Sequence, residues 1–258
     1  MPQPFFYTAK GLRLTANLVS WDSQIFGFPV AAIDSLDIQD PALAGIAYQA
    51  FQEWLDANSV KMVSCRLAHQ KLRESMFLEN RGFRFVEMVL HPHLGDLGAY
   101  QAGTDSLVIA VAEESDLENL QAIAENAFTH ERYHLDPRLD SRYGDLRYGR
   151  WVRNSFAHPR QQLLKISDQD RIVAFFVVET DGDGNAYWHL TAVAPQHQGR
   201  GYGRRAWQAM LRHHRQAGLS SVSSTISARN IIVLNLYAKL GFRFLPPEMT
   251  FHWIKDAL

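Results

Sequence analysis

Residues 186–215, AYWHLTAVAPQHQGRGYGRRAWQAMLRHHR, constrain the fold of this chain more than any other stretch. The stretch opens with an apolar, aromatic-rich run over 186–193, the pattern of a buried strand, and Pro195 closes it. A glycine-spaced turn follows, Gln198-Gly199-Arg200-Gly201-Tyr202-Gly203, and then a predicted helix in which Ala206, Trp207, Met210 and Leu211 recur at three and four residues. Strand, glycine turn and helix start together offer backbone N–H groups at the positive end of a helix dipole, a ready site for a phosphate or pyrophosphate. Glycine matters there because a ligand must approach the backbone with no Cβ in the way.

The charge pattern points the same way. Residues 184–247 contain no Asp or Glu, yet they hold Arg200, Arg204, Arg205, Arg212, Arg215, Arg229, Lys239 and Arg243. In a chain of formal net charge −1 this local excess favours a polyanionic partner over a merely solvated basic face. Two familiar phosphate loops are excluded. No Lys follows the glycines as a nucleotide P-loop requires, and Gly199, Gly201 and Gly203 lack both the spacing of a dinucleotide fingerprint and its acidic residue about twenty positions on.

What fits is Gln-x-x-Gly-x-Gly after a strand, followed downstream by Asn230, Leu236-Tyr237 and Gly241-Phe242. This combination resembles the acyl-CoA signature of the GCN5-related N-acetyltransferase (GNAT) superfamily. The resemblance implies an α/β (α+β) GNAT fold, with a mixed, mostly antiparallel sheet splayed at the CoA site and acetyl-CoA as acyl donor. Gln198, Gly199, Arg200, Gly201, Tyr202, Gly203 and Arg204 would then hold the pyrophosphate, and Asn230 would hydrogen-bond the pantetheine arm. Backbone groups of Thr191, Ala192 and Val193 would bind the pantetheine and polarise the thioester carbonyl. Tyr237 would donate a proton to the departing thiolate, as a phenol held near the sulfur can despite a reference pKa of about 10. A packing role for Tyr237 on an apolar helix stays open.

The chain of 258 residues, 47% hydrophobic and 21% charged, has the composition of one large or two small globular domains. Its opening, MPQPFFYTAKGLRL, lacks an apolar signal core, and no run approaches the roughly 18 apolar residues of a membrane span, so the expectation is a cytoplasmic protein with no membrane partner. Near-neutral charge argues against nucleic acid as the main partner. The single Cys65 excludes an internal disulfide and sits in an apolar run, which reads as a buried strand residue. A homodimer is left open.

Residues 1–100 read as a separate N-terminal α/β domain, non-catalytic and on the acceptor side, with a strand over 27–33, a helix from Pro41, a strand from Val60, a helix from about Lys71 and a strand over 83–90. Within it, Phe77-Leu78-Glu79-Asn80-Arg81-Gly82-Phe83-Arg84-Phe85 aligns on residues 236–244 at a constant offset of 159, with Leu78 at the position of Tyr237. A degenerate half-copy of the GNAT fold and a common helix–glycine–strand cap both account for this echo. The acetyltransferase domain is expected over 105–258, opening with a strand over 107–112 and a helix introduced by a Ser115/Glu118 capping box.

Residues 129–150, dense in Arg, His, Tyr and Asp, read as a loop that lines or covers a site. His130-Glu131-Arg132-Tyr133-His134 matches the zinc-protease pattern literally, but Asp136-Pro137 stops the helix that such chemistry needs, so no metal is expected. Asp181-Gly182-Asp183-Gly184-Asn185 imitates a calcium loop but has Ala192 where the ligating Glu belongs, and reads as a hairpin turn. Residues 20–27, 132–138 and 151–155 resemble the TDP-fucosamine acetyltransferase group, which implies a TDP-linked amino sugar as the small-molecule amine acceptor. On that resemblance the substrate residues are Trp21, Phe26, Arg132, Tyr133 and Arg138. Arg132 and Arg138 would meet a pyrophosphate, and Tyr133 would stack on a base. The general base is not assigned: His189, a water, Glu179 and Asp136 all remain, as do other amine acceptors and a non-catalytic CoA-binding module.

Overall fold

Residues 3–9, 11–100, 103 and 105–255 are described by the structure, a computed structural model. The chain forms two units, Met1–Val89 with Arg132–Tyr143 and Pro246–Leu258, and Leu90–Glu131 with Gly144–Leu245. The division falls earlier than the expected boundary near residue 100. It also gives 132–143 and the end of the last strand to the first unit, because a polar connection and a terminal strand carry no local signal of the sheet they join.

The first unit contains β1 (Phe5–Ala9), β2 (Leu12–Leu18), α1 (Ser20–Phe26), β3 (Val30–Ile38), α2 (Pro41–Ala57), β4 (Met62–Ala68) and α3 (Leu72–Glu79). β5 (Arg84–Leu94) runs across the division. The second unit continues with β6 (Val108–Val111), α4 (Leu117–Ala127), α6 (Arg142–Phe156, from Gly144 on), β7 (Gln161–Asp168), β8 (Arg171–Thr180), β9 (Asn185–Val193), α7 (Tyr202–Gln216), β10 (Ser221–Ser224), β11 (Ile226–Ser227) and α8 (Ile231–Lys239). The one-turn α5 (Arg132–Leu135) belongs to the first unit, and β12 (Arg243–Ile254) is divided between the two.

Several expectations need correction. The strand expected over 27–33 starts at Val30, because residues 20–26 are helical and Gly27, at φ 72°, ends that helix in the left-handed region. β1 and β2 add two strands ahead of those expected from the sequence. Residues 129–150 are not one loop: α5 and α6 lie in them, and Tyr133, Asp136 and Tyr148 are buried. The capping box joins Glu113 and Asp116, in a short 3₁₀ turn before α4, rather than Ser115 and Glu118.

The two units share a strand pattern. In the first, β1, β2 and β3 are antiparallel neighbours, β3 is parallel to β4, and β4 is antiparallel to β12. In the second, β7, β8 and β9 are antiparallel neighbours, β9 is parallel to β10, and β10 is antiparallel to β5. Both parallel ladders have the same four rungs, Val30↔Met62 to Ile33↔Cys65 and Asn185↔Ser221 to Trp188↔Ser224. Both antiparallel partners of β3 and β9 skip one residue just beyond those rungs, Asp34 in one unit and His189 in the other. The glycines of the echo agree as well, Gly82 at φ 84° and Gly241 at φ 86°, and Leu78 and Tyr237 are both buried.

Each unit buries its own core. Leu14, Ile33, Phe51, Val63 and Leu78 lie in the first, with Cys65, whose thiol burial pushes up to about 12, far from a reactive thiolate. In the second, Trp188, Trp207, Met210 and Tyr237 lie on one side of the sheet, and Leu120, Val152, Phe175 and Leu190 on the other.

Candidate active site

β9 outruns its parallel partner. The β9–β10 ladder ends at Trp188↔Ser224, and the chain resumes as β11, which pairs with β5, while β9 continues to Val193. The N–H of Ala194 donates to the carbonyl of Val173 on the β8 side (2.9 Å), so by the alternation of a strand the N–H and C=O of Val193 face the gap left by β10. Thr191 shares that orientation, and Ala192 faces β8. The gap therefore opens beside Thr191 and Val193, whereas Ala192, expected with them at the pantetheine, has its backbone bonded toward β8 because successive residues of a strand alternate.

The bulge sets the faces. Leu190 pairs with Val177 and Trp188 with Val178, so His189 has no cross-strand partner on β8. One extra residue reverses the alternation: Trp188 packs with α7 and α8, whereas Leu190 and Ala192 pack with α4 and α6. His189 therefore does not share a face with Thr191 and Val193, as strict alternation would have it. Val193 packs on the Tyr237 side, and His189 lies against Tyr187 and Trp151, with ring centroids 4.7 and 6.3 Å away. The Nε2 of His189 is 3.0 Å from Oε2 of Glu179, whose other oxygen meets Arg160 at 3.3 Å. Burial lowers the His189 pKa from its ordinary value and the Glu179 carboxylate opposes that shift, which leaves a neutral imidazole near pH 7.

Beyond Pro195–His197, a 3₁₀ turn, lies the glycine loop. Gly199 (φ 71°) and Gly201 (φ 83°) are left-handed, and a Cβ at either would meet nothing within 4 Å, so the loop is open on the side from which a ligand would come. Gly201 caps α7 without a side-chain hydrogen bond, and no acidic residue lies in the first turn. Gln198, although exposed, donates from Nε2 to the carbonyl of Val193 (3.1 Å) and ties loop to strand. The Tyr202 hydroxyl donates to Asp168 (2.8 Å).

Five of the eight cations of the block fall into two groups. Arg205 is held by Asp105 through two bonds of 2.9 Å and by Asp168 at 3.2 Å, while Arg212 and Arg215 donate to the carbonyls of Gly103 and Tyr100. Arg205 is thus neutralised by two carboxylates from outside residues 184–247, contrary to the expectation of a wholly uncompensated block, whereas Arg212 and Arg215 keep their charge beside neutral carbonyls. Arg200 and Arg204 are exposed beside the loop and form no ion pair among the described residues.

Tyr237 is 1% exposed, and its hydroxyl has no hydrogen-bond partner among the described residues, although Ser224, Trp207 and Thr191 surround it. Burial raises its pKa, which keeps the phenol protonated. Asn230 caps α8, its side chain accepting from the N–H of Val233 (3.3 Å).

The residues expected to meet the acceptor lie in the first unit. Phe26 is buried against Tyr133 and Tyr143, with centroids 5.3 and 4.6 Å away, and Trp21 packs at the edge of the same cluster. Tyr133 is 1% exposed, donates to Asp22 (2.8 Å) and stacks on His252, so its ring is not available to a base in this structure. Arg138 grips Asp136 through bonds of 2.8 and 2.7 Å, and Arg132 donates to the Tyr133 hydroxyl (2.6 Å), so neither presents a free cation. His130 lies outside the four-residue α5 that carries His134, and among the described residues no group of three His, Cys, Asp or Glu could hold a metal. Also among the described residues, no helix is long and apolar enough to cross a membrane.

The second unit thus combines a mixed sheet that opens at β9 with a glycine-capped helix and a buried, protonated phenol behind the sheet. Residues 118–242, just under half of the chain, match the Acetyltransferase (GNAT) family. Members of that family take their acetyl group from acetyl-CoA. A 90-residue segment is 30% identical to the mycothiol acetyltransferase of Saccharopolyspora erythraea, covering 35% of this chain and 30% of that protein's length. Two solved structures extend the likeness in fold to nearly the whole chain. The GCN5-related N-acetyltransferase of Sphaerobacter thermophilus has a TM-score of 0.63 at 13% identity, covering 93% of this chain and 76% of its own. A tandem GNAT protein from the clavulanic acid biosynthesis pathway has a TM-score of 0.57 at 15% identity, covering 94% and 78%.

Proposed function

We propose that the chain is an acetyl-CoA-dependent N-acetyltransferase that moves the acetyl group directly to a primary amine in a ternary complex. The observation that carries this reading is the gap beside Thr191 and Val193, with the Tyr237 phenol on one face of the sheet and the His189–Glu179 pair on the other. Acyl transfer from a thioester needs a deprotonated amine, a polarised carbonyl and a protonated leaving thiol. His189, kept neutral by burial and oriented by Glu179, accepts the amine proton. The backbone N–H groups of Thr191 and Val193 polarise the carbonyl, and Tyr237 returns a proton to the thiolate. The phosphates rest on Gly199–Arg204, with Arg200 and Arg204 beside them.

For the acceptor, the proposal is a small amine, with a nucleotide-linked amino sugar favoured only by the resemblance of residues 20–27, 132–138 and 151–155. The burial of Phe26 and Tyr133 shifts the support in those segments from ligand contacts to packing. The test is thiol release and product mass with acetyl-CoA against a panel of TDP-amino sugars, free amino sugars, polyamines and peptides with free N-termini. Acetylation of the TDP-amino sugar alone supports the finer reading, acetylation of another amine replaces it, and no release of thiol with any acceptor removes the enzyme.

A further inference from the structure

The first unit repeats the splay of the second, and what fills it differs. Beyond the rung Ile33↔Cys65, β3 runs on through Leu36 and Ile38, the positions of Thr191 and Val193 when the two ladders are laid rung on rung. There the backbone is already spoken for. Lys71 Nζ donates to the carbonyl of Leu36 (2.7 Å), the N–H of Ile38 donates to Glu74 Oε1 (2.9 Å), and Arg73 Nη1 donates to the carbonyl of Ile38 (2.9 Å). Glu74 is 6% exposed, so this closure is part of the packed structure.

The offset of 159 that relates α3 to α8 sets Lys71 on Asn230, Arg73 on Ile232 and Glu74 on Val233. Asn230 spends its side chain on its own helix, Ile232 is 82% exposed, and Val233 has no polar group with which to close the strand. The anion cradle differs in the same sense. Between β3 and α2 the chain has only Gln39 and Asp40, whose N–H groups both donate to the Gly11 carbonyl (2.7 and 3.0 Å), and Pro41 contributes no N–H. Between β9 and α7 lie residues 194–201, with both open glycines. Leu78 stands where the second unit has its phenol.

We propose that the first unit is an acetyltransferase half whose donor groove is closed by its own Lys71, Arg73 and Glu74, so that the chain binds one CoA, in the second unit only. This rests on the reading of residues 198–204 given under Proposed function. The closed groove holds β3 and α3 together with three polar contacts where the second unit leaves an entry for the pantetheine.

The full chain with CoA, examined by native mass spectrometry and by hydrogen exchange, tests the proposal. One bound CoA is expected, with exchange slowed across residues 198–206 and unchanged across 36–41. Two bound CoA molecules, or slowed exchange across 36–41, overturn the closed groove while leaving the donor site of the second unit intact. No bound CoA at all overturns that donor site, and the single-site proposal with it.

Discussion

Glu179 and His189 meet across the bulge of β9, Oε2 to Nε2 at 3.0 Å, although neither residue type nor spacing marks them as a pair. Burial lowers the His189 pKa, and Glu179 works against that, so the carboxylate sets how low the imidazole titrates. In Glu179→Gln the imidazole loses its counter-charge, its pKa falls further, and the acid limb of kcat/KM moves to lower pH. In His189→Gln that limb disappears and turnover drops by roughly 10²- to 10⁴-fold, the usual worth of a general base. Rate profiles from pH 5 to 9 at fixed acetyl-CoA are the measurement, and a profile in His189→Gln that overlays the parent removes His189 from the chemistry.

The phenol gives a prediction with two readouts of opposite sign. Tyr237→Phe lowers turnover by roughly 10²- to 10⁴-fold while acetyl-CoA affinity changes little. Because the hydroxyl is buried with no partner among the described residues, its removal leaves stability unchanged or slightly raised. A thermal melt beside a single-turnover assay separates the two: lost activity together with a lowered Tm would mean that Tyr237 serves packing.

The donor loop predicts a conformational and an electrostatic effect. Gly201 sits at φ 83°, where a β-branched residue is strained, so Gly201→Val weakens CoA binding by at least tenfold through a displaced start of α7. Arg200→Ala with Arg204→Ala weakens it by less, and the loss shrinks as salt rises, because both side chains are exposed. Calorimetric titration at two ionic strengths checks both, and equal loss at low and high salt would contradict the role given to the two arginines.

The sequence shows the local devices of this fold and misses the non-local ones. The strand–glycine–helix of 186–215 is legible because its signals, an apolar run, positive-φ glycines and a three-and-four apolar period, lie within a few residues of each other. The echo at residues 77–85 is legible for the same reason. The bulge at His189 is not, since a period of two carries on through the sequence and only the pairing with β8 interrupts it. Nor is the neutralisation of Arg205, whose partners Asp105 and Asp168 lie 100 and 37 residues away. The burial of Tyr133 and Asp136 is not legible either, because an Arg-, His- and Tyr-rich stretch looks solvated, while here the ring packs in a first-unit cluster and the carboxylate is bonded by Arg138 and His252.

That cluster and the second unit's core each hold a histidine that cannot be charged without cost. His252 is fully buried, with Nδ1 2.9 Å from Asp136, and His214 accepts from the Trp188 indole (2.9 Å); burial lowers each pKa to about 4. An unfolded chain protonates these imidazoles near pH 6.5, so between about 6.5 and 4 it binds protons that the folded chain refuses. Stability is therefore full above pH 6.5 and is lost as pH falls toward 4, by on the order of 3 kcal/mol for each histidine. Burial pushes the Asp136 carboxyl up, but bonds from His252 and Arg138 outweigh it and hold it well below the usual carboxylate range, so its contribution is lost only below about pH 4. His252→Gln removes one of the two imidazoles, lowers stability at pH 7 by about 1–3 kcal/mol through the disturbed Asp136, and flattens the decline between pH 6.5 and 4. Urea unfolding at pH 7, 5.5 and 4.5 measures both effects. A variant whose stability falls with pH as steeply as the parent's would show that His252 takes up its proton in the folded chain without penalty.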